Sequence, residues 1–411
     1  MPAMADYRAA LTTPGAPAPV LASALGRLPI AMLGLAILLY VQRSTGSFAA
    51  GGLVNAGGLA GVSVGSVVHG RVIDRYAPTR PLLLAAVLFA VAVTALVLAV
   101  EAAAALPVLI GCALLVGLTQ PALAAASRGL WAQLLPPGAR RDAAYTYEAV
   151  SLEVFFIVGP AFAVFLVLTP WPGTGLAVAA VATVLGTLGF ASTRPVRSRR
   201  PGRTGPALGP LGALGRPAMR PVAVASLGFG VVVGTVEVGV TAVTTEAGVP
   251  ALAGVLISAW SVTSVLAGLL YSLRPWPRPL HLRLPVLLGG FGVLVGAMAL
   301  VGISGSLALL LVLMLLAGAL ITPQVTAHSI AVDVAAPAGA ATEAFGWVVT
   351  AATLGLALGQ SVAGIVVEAY GPPAAFLVGG LAGAVLAGVL WMMRGTLAAA
   401  VGPVPEPAAA R

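Results

Sequence analysis

Five ionisable side chains fall inside runs that are otherwise apolar: Arg27, Glu148, Glu153, Glu237 and Glu343. A charge in hydrocarbon is costly, so each is by default a candidate functional group. The chemistry open to them is proton and ion handling. A carboxyl that alternates between apolar and aqueous surroundings loads a proton in one and releases it in the other. A guanidinium beside it reduces the burial cost of both. Counted along helices that rise about 1.5 Å per residue, Arg27 lies about 10 Å deep, Glu148 about 7 Å and Glu153 about 15 Å. Either acid can therefore pair with the arginine. Glu237 has no basic neighbour close in sequence; Arg43 is its candidate partner, and it suits either proton transfer or a cationic substrate. Glu343 opens a predicted helix, where an acid also serves as a cap. Asn55, Gln120, Gln324 and Gln360 are polar groups that either line a central path or bond neighbouring helices.

Other chemistries find no residues to carry them. His69, His281 and His328 show no ligand spacing, so no metal site is expected. Cys112 is the single cysteine, which rules out an intrachain disulfide. All 21 basic residues are arginine. A Walker A phosphate loop needs a lysine, so the chain is not its own P-loop ATPase, and energy must come from a gradient or a separate subunit. There is no nucleophile cluster or metal dyad, and neither an enzyme nor a cofactor is expected.

These residues need helices to hold them. The chain is 59% hydrophobic and 8% charged, with a mean hydropathy of +1.05, whereas soluble domains run near a quarter charged. Twelve apolar segments are predicted, roughly 20–42, 48–70, 82–101, 106–126, 144–168 and 174–192, then 221–245, 250–272, 285–303, 306–328, 343–367 and 374–394. Each is long enough for a helix to cross about 30 Å of hydrocarbon. Gly-rich strings such as GFGVVVG (228–234) read as helix-packing patterns rather than nucleotide sites.

The net charge of +9 suggests nucleic acid until its distribution is considered. With the N-terminus placed inside and the sides alternating, every arginine except Arg27 and Arg43 falls on the inner side, while Glu101, Glu246 and Glu368 fall outside. This is the positive-inside asymmetry of a chain with both termini cytoplasmic, and it favours an even number of spans. The division that follows is a tail over 1–19, a six-helix bundle over 20–192, a basic linker over 193–220, a second bundle over 221–394 and a tail over 395–411. The linker is either a plain connection or a site for anionic lipid. Trp131, Trp171, Trp276 and Trp391 lie near predicted helix ends, as interfacial anchors do.

The halves also repeat. SVGSVVHG (63–70) aligns with SVTSVLAG (261–268), and Pro121 and Pro323 fall at similar offsets in the fourth helix of each half. The stretch GRVIDRYAPTR (70–80), after the second helix, resembles the inner-loop signature of the major facilitator superfamily, with Gly70, Asp74, Arg75 and Arg80 matching. Ala77 stands where the family has glycine, and Pro78 follows it. In the second half GLLYSLR (268–274) keeps the glycine but has Ser272 in place of the acid. Gly159-Pro160 resembles the family's antiporter signature in helix five, although Ala161, Phe162 and Ala163 replace its further glycines. SRGLWAQLLPPGARRDAAY (127–145) is similar to the stretch after helix four in these carriers.

The resemblance implies an all-α membrane protein of twelve transmembrane helices in two six-helix pseudo-repeats. It further implies a drug-exporter-like carrier in a bacterial plasma membrane, working as a monomer by alternating access. Gly70, Asp74, Arg75, Arg80 and Glu343 would form a cytoplasmic gate. Coupling or substrate binding would fall to Glu153, Glu237, Arg27, Glu148, Gln120 and Asn55. The expected partners are a small-molecule substrate, protons and membrane lipid, with proton-coupled efflux of an amphipathic compound favoured over uptake of a sugar or organic anion. A non-transporting sensor or scaffold is the reading from another class.

The arginine asymmetry makes the topology testable. In a Cys112→Ser background, single cysteines in the 193–220 linker should resist an impermeant maleimide in intact cells, and Glu246→Cys should react. The reverse pattern would invert or break the topology.

Overall fold

The computed structural model describes residues 4–167, 169–201, 209, 211–249, 252–273 and 279–401; the side chains of Pro160 and Ser272, and Trp276 entirely, lie outside the described residues. A backbone in hydrocarbon must satisfy its hydrogen bonds within the segment, which a helix does. Helices are the only regular structure among the described residues. The first six spans are Pro17–Thr45, Ala50–Tyr76, Thr79–Glu101, Leu106–Leu134, Ala139–Val167 and Thr174–Ser192. The second six are Met219–Glu246, Leu252–Tyr271, Leu280–Ser304, Leu307–Ala335, Ala341–Tyr370 and Pro373–Ala400. Eleven of these are long and apolar enough to cross a membrane, and the fifth, 29 residues long, takes the remaining predicted position.

Sequence and structure differ mainly at the helix ends. The fourth span runs to Leu134 rather than 126 and the tenth to Ala335 rather than 328. Their polar last turns lower the local hydropathy, but tertiary packing keeps them helical. Arg128, expected in a loop, therefore lies in helix Leu123–Leu134 and is buried. The Pro- and Ala-rich N-terminal stretch forms a helix, Met4–Leu11, packed on the fifth span with Tyr7 edge-on to Tyr147 at 6.4 Å.

Four spans are broken within their length, the ninth by a short interruption between Met298 and Val301. The fourth divides into Leu106–Thr119 and Leu123–Leu134 around Pro121, and the tenth into Leu307–Gly318 and Ile321–Ala335 just before Pro323. The first breaks at Leu28-Pro29, immediately after Arg27. Proline removes one helical donor and crowds the preceding turn, so the repeated prolines put equivalent breaks in the two halves.

The halves meet along two crossings, the second span on the eleventh and the fifth on the eighth. A Cβ on Gly70 would sit 2.6 Å from the carbonyl oxygen of Thr342, and one on Gly268 would sit 2.3 Å from the Thr322 side chain of its own half and 2.9 Å from the Val150 side chain of the other. The aligned octapeptides thus end in equivalent glycines, each admitting a helix of the opposite half. Within the second half, Gly230 and Gly234 let the seventh span approach the backbone of the eleventh, the packing role read from GFGVVVG.

At the turn after the second span Ala77 adopts φ 65° and ψ 160°. That region is nearly exclusive to glycine and strains other residues by about 1–3 kcal/mol. Ala77 thus keeps the glycine conformation without the glycine. Ala77→Gly should stabilise the protein by about 1 kcal/mol once the extra freedom of the unfolded chain is deducted. Thermal unfolding in detergent would measure it, and an unchanged or lower melting temperature would contradict the strain.

Candidate functional site

The site begins with a helix terminus. Helix Ala341–Tyr370 has no side-chain cap of its own, and its first amides need acceptors. Asp74, on the second span and in the other half, supplies them: its carboxylate accepts from Thr342 N at 3.2 Å and Glu343 N at 2.7 Å. An anion at a helix N-terminus also meets the positive end of the helix dipole. Asp74 and Glu343 are both buried.

Three further groups close on this point. Arg71 Nη2 donates to Glu343 Oε1 at 2.9 Å and Arg71 Nε to the same oxygen at 3.2 Å. The linker contributes the other two: Arg199 lies 3.5 Å from Asp74 and donates to Thr342 Oγ1 at 3.2 Å, and Ala213 N donates to Glu343 Oε1 at 3.1 Å. Burial lowers the Arg199 pKa and the Asp74 charge partly restores it. Nearby, Arg141 donates to Asp333 at 2.6 Å, joined by Tyr145 Oη at 3.2 Å, another tie between the halves. Arg75 and Arg80 stand outside this network; both are exposed, with Arg75 over the ring of Tyr76. Their sequence neighbours in the motif gave no hint of Arg199 and Ala213, which reach the latch only because the linker folds back beneath it.

The intramembrane charges separate into two kinds. Arg27 pairs with Glu148, whose other oxygen accepts from Ser127 Oγ at 2.7 Å and Trp131 Nε1 at 2.8 Å. Arg27 also donates to the Glu148 carbonyl at 3.1 Å and stands over Phe155. The pair is therefore Arg27–Glu148 and belongs wholly to the first half. Trp131, expected at the interface, is buried beside it, because its indole N–H needs a partner and the acid offers one. Trp171 does sit at a span end, donating to Glu101 at 2.8 Å, whereas Trp391, under Arg394, lies well inside helix Pro373–Val401.

Glu153 is buried, with the Ser261 side chain of the eighth span beside it across the seam. Glu237 is half-buried and accepts from Gln360 Nε2 at 2.7 Å, within its own half. The expected Arg43 partner is thus replaced by an amide. Asn55 abuts Gly34 of the first span, where a Cβ would lie 2.9 Å from its amide oxygen. Gln120 lies at the break in the fourth span, and its carbonyl bonds His69 Nδ1 at 3.1 Å. Gly159 faces Ala31 and Met32 of the first span, a packing contact. No group of three or more potential metal ligands occurs among the described residues.

Asp74→Asn keeps the shape but removes the charge that holds Thr342, Glu343 and Arg199. Charge-assisted hydrogen bonds are roughly twice as strong as neutral ones. Loss of about 1.4 kcal/mol corresponds to a ten-fold shift in an equilibrium. Alkylation of Ala344→Cys, fully buried at the latch, should accelerate about ten-fold when Asp74→Asn is added in a Cys112→Ser background. An unchanged rate would remove Asp74 from the latch.

Comparison with known proteins agrees with this architecture. Residues 20–348 match the family profile described as Major Facilitator Superfamily. Among solved structures, the human organic anion transporter MFSD10 (TETRAN) is 18% identical, with a TM-score of 0.71 over 93% of this chain and 99% of its own. A bacterial homologue of the iron transporter ferroportin, in an outward-facing state, is 14% identical, with a TM-score of 0.71 over 92% and 98%. The E. coli fucose:proton symporter is 15% identical, with a TM-score of 0.65 over 92% and 98%. At these identities the likeness concerns the fold. A search of curated proteins finds no matching sequence. With the family profile covering most of the chain, and the motif residues gathered at a latch between two six-helix halves, this protein belongs to the major facilitator superfamily.

Proposed function

We propose that the protein is a proton-coupled exporter of an amphipathic small molecule, working as a monomer by alternating access. The arginine-rich side is cytoplasmic in this reading, and the latch around Asp74 is the gate that opens to admit substrate. Lipid surrounds the bundle and no nucleic acid takes part. Export is favoured by the Gly159-Pro160 element and by the low polarity of the helices facing the seam.

One observation carries the coupling. Glu153 belongs to the first half, yet the polar side chain beside it, Ser261, belongs to the second. Separation of the fifth and eighth spans takes that side chain away and brings in water. The carboxyl then faces two different environments in the two states, as a proton carrier requires. Glu148 and Glu237 have partners within their own halves, Arg27 and Gln360. Rigid-body movement leaves those pairs intact, so their environments change less.

Glutamine keeps the size and hydrogen bonding of glutamate without the proton. In proteoliposomes with an imposed pH gradient and a panel of amphipathic aromatic compounds, Glu153→Gln should abolish proton-driven accumulation while retaining counterflow exchange. Glu237→Gln should retain accumulation. Normal accumulation by Glu153→Gln would remove it as the coupling site, and loss of both activities would make it a substrate or folding residue instead.

A further inference from the structure

Arg128 is a charge that the latch and the coupling acid leave unused. It lies on helix Leu123–Leu134 of the first half, 7% exposed, and its Nε has no hydrogen-bond partner. Among the described residues no carboxylate stands within ion-pair distance of it. The acid nearest in charge, Glu148, is already bonded to Arg27, Ser127 and Trp131. Two buried guanidiniums therefore share one carboxylate, and an unpaired buried charge is among the costliest features a fold can keep.

Groups of the second half also face Arg128, beside Glu148, Arg27 and Tyr145 of its own half. Its guanidinium stands 5.9 Å from the centroid of the Phe345 ring, and His328 is within its electrostatic reach. His328 is 3% exposed with Nε2 unpartnered, and packs edge-on to Phe229 at 6.1 Å. Gln324, one helical turn before His328 on the same face, is fully buried with neither its amide nitrogen nor its amide oxygen partnered. Arg128 of one half and His328 of the other thus lie within electrostatic reach beside two aromatic rings, with Gln324 one turn before His328. The adjoining Gly129 borders the latch, since a Cβ there would lie 3.0 Å from Thr342 Oγ1 and 3.3 Å from Arg199 Nη1. Opening the latch exposes this seam to the arginine-rich side.

We propose that Arg128, Gln324 and His328 form the loading site for an organic anion, a carboxylate or sulfonate whose aromatic body lies against Phe229 and Phe345. The planar guanidinium matches a carboxylate's two oxygens, Gln324 and His328 supply further hydrogen bonds, and the rings supply the apolar wall. An anion here cancels the surplus positive charge. The site rests on the carrier reading and deepens it, by giving the amphipathic substrate a negative group.

Binding to purified protein tests the site without requiring transport. Calorimetry in dodecyl maltoside would compare 2-naphthoate with the neutral 2-naphthamide. The acid should bind at least about ten-fold more tightly, the weight of one good charged contact. Arg128→Gln should lose that preference, Arg128→Lys should keep part of it, and the ligand-free Arg128→Gln protein should melt no lower than the parent. Where Arg128→Gln does not fold, Gln324→Leu and His328→Leu should each weaken naphthoate binding and leave naphthamide binding unchanged. Equal affinity for acid and amide, no binding of naphthoate, or unaltered binding by these variants would overturn the proposal. Displacement of naphthoate by phosphatidylglycerol would assign the site to a lipid headgroup and overturn it too. Failure of proton-driven accumulation with naphthoate binding intact would count against the coupling and leave the anion site standing.

Discussion

The carboxylate of Asp74 caps a helix that belongs to the other half of the molecule. An α-helix begins with amides that its own turns cannot satisfy, and where the helix start is buried, as at Thr342 and Glu343, their partners must come from protein. Because the cap is supplied across the seam, the eleventh span is complete only while the halves are together on this side. Arg71, Arg199 and the Ala213 amide then gather on the two acids exposed by that arrangement, Asp74 and Glu343. Gly70 makes it geometrically possible, since any side chain there would push the helix start out of reach of Asp74.

The other charges follow the same requirement for partners, but not all cross the seam. Arg27 and Glu148, with Ser127 and Trp131, form a closed set inside the first half, on a helix already interrupted at Pro29. Such a buried pair contributes little to stability in itself, yet removal of either partner costs about 3–5 kcal/mol. It is therefore suited to keeping one half rigid. Bonds that cross the seam, at Asp74 and Arg141, are suited to being made and broken. A carrier needs both kinds, rigid bodies and a breakable interface.

Much of this was legible from the sequence. Apolar runs of spanning length located the helices, and the family resemblance carried by Gly70 and Asp74 pointed to the place where the structure ties the two halves together. Depth along the helices brought Arg27 near Glu148 and Glu153, although spacing could not choose between the two acids; the hydrogen bonds of Ser127 and Trp131 identify Glu148. What stayed hidden depends on contacts made by irregular or distant chain. Arg199 was one arginine among seven in a linker, and nothing local distinguishes the one that folds into the latch. Arg128 was counted as a loop charge because hydropathy falls at the end of the fourth span, although packing carries the helix on to Leu134. Burial of a charge by a neighbouring half leaves no local signal.

The two crossings are built alike and bonded differently. Gly70 and Gly268 are equivalent and each admits a helix from the opposite half. In the first crossing the position four residues on is Asp74, and in the second it is Ser272. The second and eleventh spans are consequently held by charge-assisted bonds at their arginine-rich ends. The fifth and eighth meet through apolar contact at Val150 and Gly268, with Glu153 placed farther along. Charged contacts at a helix end resist separation until a competing partner or water arrives, whereas apolar contact tolerates sliding and rocking. Asp74, Arg71, Arg199 and Glu343 give one crossing a charged tie, and the other carries Glu153 beside Ser261.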